Sequence, residues 1–217
     1  MYVKDKMAAE VIKINLNASV TEAIDLLGEN NLHRLPVVDG KGKLVGLLTA
    51  TTISKNTPNN SSSLSIYEIN YMLNKIKVSD IMIKDVVTIS KDALIEEAAQ
   101  KMSEHNIGCL IVTDKNNNVE GIITHKDIFE AFISYLGYHQ KGTRYTIAIP
   151  EDKVGVLNDI SRCFAEKEIS ISHLVVDHGD RGIEVVVIAT GKNSNKAKDI
   201  LKKNGYTLIN ITELKGK

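Results

Sequence analysis

Covalent staples and surplus charge are both scarce in this sequence. Among 217 residues there are two cysteines, Cys109 and Cys163, too few for a disulfide framework and suited to a reducing compartment. Neither sign of charge prevails, because Lys+Arg and Asp+Glu each count 27. Proteins that bind nucleic acid mainly by neutralising phosphates carry a basic excess, which argues against that class. No apolar run approaches the ~18–20 residues that span a bilayer, and Met1–Lys6 lacks the apolar region of a signal peptide. Cys-x-x-Cys and His-x-x-x-His spacings are missing, as are a P-loop, a nucleophile elbow and a dinucleotide fingerprint. His173 and His178 are an odd number of residues apart and would face opposite sides of one strand. The expectation is a soluble, cytoplasmic protein of more than one domain. It should have no metal, no catalytic cofactor, and neither nucleic acid nor membrane as partner. At 43% hydrophobic and 25% charged residues, the composition is that of a globular chain.

What the sequence does contain is an internal repeat. Residues 3–53 align without gaps on residues 78–128. Val3, Asp5, Met7, Ile14, Ala18, Glu22, Ala23, Asn31, Leu35, Val37, Asp39, Gly46, Thr49 and Ile53 each meet the same residue type 75 positions on. Each copy opens with an apolar run that suits a strand, Val11–Ile14 or Val86–Ile89. A helix follows. In the first copy it starts at a Ser19-x-x-Glu22 capping box and buries Val20, Ala23, Ile24 and Leu27. In the second copy Ile95, Ala98, Ala99 and Met102 take those places. Two strands then flank a turn, Asp39–Gly42 or Asp114–Asn118, and a second helix starts after Thr49 or Thr124. The unit is β-α-β-β-α and is too small to cover its own sheet, so the copies should pack together. Repeat 1 occupies residues 1–56 and repeat 2 residues 78–137. Between the copies Ser54–Ser63 reads as a polar loop, and the linker of residues 57–77 carries an amphipathic helix from near Leu64 with Ile66, Ile69, Met72, Leu73 and Ile76.

Residues 143–217 do not match the repeat. They read β-α-β-β-α-β, with a hairpin turn at His178–Gly182 and a helix end at Asn204-Gly205. That order is the ferredoxin-like split βαβ unit.

These residues resemble known families. Gly46-Leu47-Leu48-Thr49 and Gly121-Ile122-Ile123-Thr124-His125-Lys126-Asp127 are similar to the ligand motif of CBS domains, and the tandem resembles a CBS pair. His33-Arg34-Leu35-Pro36-Val37-Val38-Asp39 resembles the run that meets nucleotide phosphates in the AMP-activated protein kinase γ subunit. The tail resembles an ACT domain, through Pro150–Leu157 and Ile169-Ser170-Ile171. The order CBS–CBS–ACT resembles the family of the acetoin-utilisation protein AcuB. The fold class implied is α+β / α/β, with two β-α-β-β-α repeats forming one CBS-pair module and a ferredoxin-like βαββαβ ACT domain behind them.

The resemblance implies a non-enzymatic sensor for an adenosine nucleotide of the AMP, ADP or ATP class. It would form a homodimer, act on a metabolic enzyme partner, and serve acetoin or central carbon metabolism. The alternative is a ligand-free structural or dimerisation subunit. Nucleotide-binding positions implied are Thr124, His125 and Asp127, with Asp127 accepting from ribose hydroxyls. Val87 and Ile107 would wall the adenine, Arg34 and His33 would meet phosphate, and Thr49 and Thr52 are the counterparts in the first copy. Thr124 and Asp127 equally suit a helix N-cap and N3 carboxylate, Val87 and Ile107 equally suit plain core, and His33 and Arg34 equally suit a solvated helix end. The copies are unequal, since Thr52 stands where Asp is expected and Gly108-Cys109 stands opposite His33-Arg34. In the ACT-like tail, the loop of Asp152, Val154 and Gly155 would be the ligand loop, with Val154 replacing the motif's proline.

Overall fold

A computed structural model describes residues 1–57, 66–180 and 182–216. Of the loop expected at Ser54–Ser63, Ser54 and Lys55 instead end the helix Ala50–Lys55, and Pro58–Ser63 lie outside the described residues, as do Leu64, the side chains of Ile66 and Ile69, and Arg181. The chain divides into two compact units, Met1–Phe129 and Glu130–Lys217.

In the first unit each repeat forms a three-stranded sheet. Repeat 1 supplies β1 (Ile14–Asn15), α1 (Val20–Glu29), β2 (Arg34–Val38), β3 (Leu44–Thr49) and α2 (Ala50–Lys55). The linker helix α3 (Ile66–Lys75) and a single turn α4 (Val78–Ile81) follow. Repeat 2 supplies β4 (Thr88–Ile89), α5 (Ile95–Glu104), β5 (Cys109–Thr113), β6 (Val119–Thr124) and α6 (His125–Tyr135). In both sheets the first pair is parallel and the second antiparallel, in registers that match at an offset of 75. Ile14 lies opposite Val37 as Ile89 lies opposite Val112. The opening strands are shorter than the apolar runs predict. Val11, Ile12, Val86 and Val87 precede the paired residues and line clefts instead.

Local signals explain the elements. Ser19 Oγ accepts from Glu22 N at 3.1 Å and starts α1, which buries Val20, Ala23 and Leu27. Ile24 is on the flank of that stripe and stays 38% exposed, contrary to the sequence reading. Met72 of α3 is likewise exposed, whereas Leu73 turns inward. Asn31 and Asn106, just past α1 and α5, adopt φ of 50° and 51°, a left-handed conformation that asparagine tolerates. Asp39 Oδ1 accepts from the backbone of Lys41 and Lys43, and Asp114 Oδ1 from that of Asn116 and Asn118.

The repeats are joined by reciprocal crossing segments. Ala8 exchanges two backbone hydrogen bonds with Ile122 of β6, at 2.9 and 3.0 Å, and Ile83 exchanges two with Leu47 of β3, both at 2.9 Å. Each repeat's leading segment therefore adds to the other repeat's third strand. Further back, Tyr2 bridges to Leu94 and Lys77 to Ser19. Val3 and Val78 anchor these segments and are fully buried, and Asp5 and Asp80 accept from the N–H of Tyr2 and Lys77. Gly46 and Gly121 leave space for the crossing. A Cβ on Gly121 would lie 2.7 Å from Met7 Sδ and 2.9 Å from Ala8 O, and one on Gly46 would lie 3.0 Å from Ile83 O.

The second unit is a four-stranded antiparallel sheet in the order β10-β7-β9-β8. Its elements are β7 (Lys141–Ile149), α7 (Val156–Ala165), β8 (Ser170–Gly179), β9 (Gly182–Thr190), α8 (Ala197–Lys203) and β10 (Thr207–Lys215). The expected βαββαβ order is observed, and the hairpin reverses at Gly179 and Gly182, leaving His178 within β8. One face carries the core, where Tyr145, Ile147, Val187, Ile160, Phe164 and Leu201 pack together. Tyr145 is fully buried and its hydroxyl donates to Ser194 O at 2.6 Å.

Two substitutions test these supports. Gly121→Ala forces the crossing backbone away from β6 and should cost about 1–3 kcal/mol, the range for overpacking, read as a lower urea midpoint of the first unit. Tyr145→Phe leaves Ser194 O without its donor and should cost about 1–3 kcal/mol. The loss should appear in the second unit, followed by hydrogen exchange at its core amides.

Candidate functional site

The crossing of the repeats creates two clefts in the first unit. One, of about 390 Å³, has apolar walls from Leu47, Ile83, Val86, Val87 and Ile107, and polar groups from Thr49, Asp85, His33 and Arg34. The other, of about 350 Å³, has apolar walls from Val11, Ile12, Leu32 and Ile122, and polar groups from Thr124, Glu10, Asn31, His33 and Arg34. Both volumes fall within the roughly 300–1,000 Å³ of small-molecule sites. Most lining residues correspond at an offset of 75: Leu47 with Ile122, Thr49 with Thr124, Asp85 with Glu10, Val87 with Ile12, and Ile107 with Leu32. The clefts are two versions of one architecture.

The structure divides the expected site residues between them. Val87, Ile107 and Thr49 line the first cleft, Thr124 lines the second, and His33 and Arg34 line both. Val87 and Ile107 thus share a cleft with Thr49 and not with Thr124, and neither Asp127 nor Thr52 is among the lining residues of either cleft. The reason is the crossing: β6 runs beside the leading segment of repeat 1, so Thr124 meets Val11 and Ile12. Sequence reasoning missed Val11, Ile12, Leu32, Glu10 and Asp85. Applying the 75-residue offset crosswise to Val87 and Ile107 would have found Ile12 and Leu32.

Asp127 is the N3 residue of the α6 N-terminus. Its Oδ2 accepts from Thr124 N at 2.8 Å and from Thr124 Oγ1 at 2.7 Å. Oδ1 has no protein partner among the described residues and remains able to accept. In the first repeat Thr49 Oγ1 accepts from Thr52 N at 3.0 Å and pairs with Thr52 Oγ1 at 2.8 Å. The frame is the same, but without a carboxylate. His125 Nδ1 is 3.1 Å from Gly108 O, and His125 borders neither cleft's lining.

Arg34 begins β2 opposite Thr49, as Cys109 begins β5 opposite Thr124. The arginine is half-buried and has no ion-pair or hydrogen-bond partner among the described residues. A Cβ on Gly108 would lie 3.1 Å from Arg34 Nη2 and 3.1 Å from His125 Nδ1. The glycine thus makes the room that the guanidinium occupies. Burial pushes the Cys109 thiol up, while the positive charge of Arg34 acts in the opposite direction.

In the second unit a cleft of about 430 Å³ is bounded by Asp152, Gly155, Val156, Val176, His178 and Ile183. Gly155, at φ 99°, turns the chain into α7. His178 Nε2 is 3.2 Å from Asp152 Oδ2 across the cleft's rim. Val154 is fully exposed and lines no part of it. Among the described residues no group of three or more His, Cys, Asp and Glu is arranged to hold a metal ion, and no helix is long and apolar enough to cross a membrane.

Comparisons with known proteins place the first unit. Among curated relatives, a CBS domain-containing protein of Dictyostelium discoideum is 34% identical over 140 residues, covering 62% of this chain and 92% of its own. L-aspartate semialdehyde sulfurtransferase of Methanocaldococcus jannaschii is 33% identical over 130 residues, which are 60% of this chain and 23% of the enzyme. The chain thus spans about a quarter of the length of that enzyme. Among solved structures, the CBS domain pair of protein MJ0100 in complex with 5′-methylthioadenosine and S-adenosyl-L-methionine shares 33% identity at a TM-score of 0.51, covering 62% of this chain and 97% of its own. A Vibrio cholerae protein described as an acetoin utilization protein (AcuB) shares 25% identity at a TM-score of 0.51, covering 62% of this chain and 91% of its own. The CBS domain family model matches residues 3–57 and 78–134, just over half of the chain. With two such repeats joined into one unit, this chain belongs to the CBS-domain family.

Proposed function

We propose that this chain is a non-enzymatic regulatory protein that binds an adenosine nucleotide in the clefts between its CBS repeats. The observation that carries the reading is the second cleft. There Thr124, which donates to the Asp127 carboxylate, supplies a hydroxyl, apolar Val11, Ile12 and Leu32 form the wall, and an unpaired Arg34 supplies positive charge. Apolar walls suit a purine, a carboxylate suits ribose hydroxyls, and a guanidinium suits phosphate. The 33%-identical CBS pair in complex with two adenosine compounds supports the same ligand class. Binding would act on a partner through its differential affinity for alternative arrangements of the chain.

The second unit is read as an ACT domain from its βαββαβ order and its sheet order. Its loop at Asp152–Gly155 is read as a ligand loop, beside the adjoining cleft of about 430 Å³. Homodimerisation through CBS and ACT surfaces, a metabolic enzyme as partner, and a place in acetoin or central carbon metabolism complete the proposal. The likeness to the Vibrio cholerae protein supports the last of these. The sulfurtransferase activity of the Methanocaldococcus jannaschii relative is not carried over, because the match covers 23% of that enzyme.

Thermal shift decides between this reading and a ligand-free scaffold. A nucleotide that binds only the folded chain, at 100 times its dissociation constant, adds about 2.7 kcal/mol. The melting temperature should therefore rise with AMP, ADP or ATP. No movement with any adenosine compound at millimolar concentration leaves the scaffold.

The carboxylate is tested separately by calorimetry. Asp127→Ala should weaken nucleotide binding about tenfold or more, since hydrogen bonds to a charged group contribute roughly 1.5–3 kcal/mol. Thr52→Ala should change it much less. Because Asp127 also caps α6, circular dichroism must first show that the variant is folded. Equal losses from both substitutions would refute the assigned role.

A further inference from the structure

Most residues lining the two clefts come in matched pairs, but their positive charge does not. Arg34 and His33 border both clefts, while their counterparts 75 residues on are Cys109 and Gly108. A symmetric pair would hold two guanidinium groups, one from the first residue of β2 and one from the first residue of β5. This chain holds one. Arg34 Nη2 reaches across to within 3.1 Å of the Cβ position of Gly108, which lines the first cleft, while Arg34 also lines the second. The remaining charged lining residues, Asp85 in one cleft and Glu10 in the other, are acidic and disfavour an anion.

We propose that the two clefts share Arg34 as their common phosphate-binding group, so that one chain holds a single phosphorylated adenosine compound at a time and the other cleft then accepts an uncharged one. The inference rests on the adenosine reading of the clefts and deepens it. Both clefts retain the apolar walls and the threonine, which recognise features that a nucleoside and a nucleotide share. Phosphate requires a cation. Once a phosphate neutralises the guanidinium, a second phosphate drawn to the same spot meets a like charge with no further arginine beside it. The coupling is reciprocal: phosphate in either cleft lowers the affinity of the other for phosphate, and not for nucleoside.

The test is calorimetry and equilibrium dialysis on the full chain with adenosine and with AMP. Adenosine should saturate at two per chain. AMP should fill one site, with a second at least tenfold weaker, and the AMP-saturated chain should still take up one adenosine. Arg34→Gln should abolish the advantage of AMP over adenosine. Cys109→Arg supplies the missing counterpart and should bring the two AMP affinities within about threefold of each other. If that variant does not fold, the wild-type comparison of AMP with adenosine decides alone. Two AMP sites of equal affinity in wild type, or only one adenosine site, overturn the proposal while leaving the nucleotide reading in place. Absence of binding by both compounds overturns both.

Discussion

The backbone exchange between the repeats is the constraint on which the first unit depends. Ala8 pairs with Ile122, and Ile83 pairs with Leu47, through four hydrogen bonds of 2.9–3.0 Å. A repeat of about 55 residues alone would bury only about 60% of the surface its unfolded chain exposes. Crossing removes that deficit by covering each third strand with the neighbour's leading segment. Several identities between the repeats follow directly. Val3 and Val78 anchor the segments in the core, Asp5 and Asp80 cap them, and Met7 and Met82 lie against Gly121 and Gly46. A side chain at either glycine would push the partner's backbone off the strand. The glycines are therefore required by close approach and not by backbone conformation.

The same exchange builds the clefts, because it sets the leading segment of one repeat beside the last strand of the other. Identity and difference between the copies then separate by role. Scaffold pairs such as Leu35 and Leu110, Val37 and Val112, and Asp39 and Asp114 are unchanged and do the same work twice. Among the differences are His33 against Gly108 and Arg34 against Cys109 at the clefts, and Thr52 against Asp127 at the start of the last helix of each repeat. A pseudo-symmetric frame thus carries an asymmetric set of polar groups. The absence of a side chain at Gly108 leaves room for Arg34 Nη2, which lies 3.1 Å from where a Cβ there would stand.

The second unit is held by other means. It has strands of nine or ten residues, one core under one face of the sheet, and a buried tyrosine whose hydroxyl ties β7 to the chain before α8. Its loop cleft does not come from a repeat. It arises where Gly155, at positive φ, turns the chain into α7 beside the β8–β9 hairpin, with Asp152 and His178 meeting at the rim.

The repeat, the β-α-β-β-α order of each copy and the βαββαβ order of the tail were legible in the sequence, because apolar periodicity, capping residues and turn residues act over a few positions. Asp39, Ser19 and Asn31 mark their turns and caps through contacts with backbone close in the chain. Long-range partnership was not legible. Nothing near Thr124 in the chain announces that Val11 and Ile12 line the same cleft, or that Val87 and Ile107 belong with Thr49, since these groupings follow from backbone exchanges between residues 36 and 114 positions apart. Nor could local pattern reveal that Ile24 stays exposed, which depends on which face of α1 its neighbours in the fold cover. The sequence by itself determined which segments become helix, strand and turn, and which polar residues differ between the copies. Only the tertiary structure decided which of those residues share a cleft, and that a single guanidinium stands between two, because cleft walls are assembled from segments that meet only when the repeats cross.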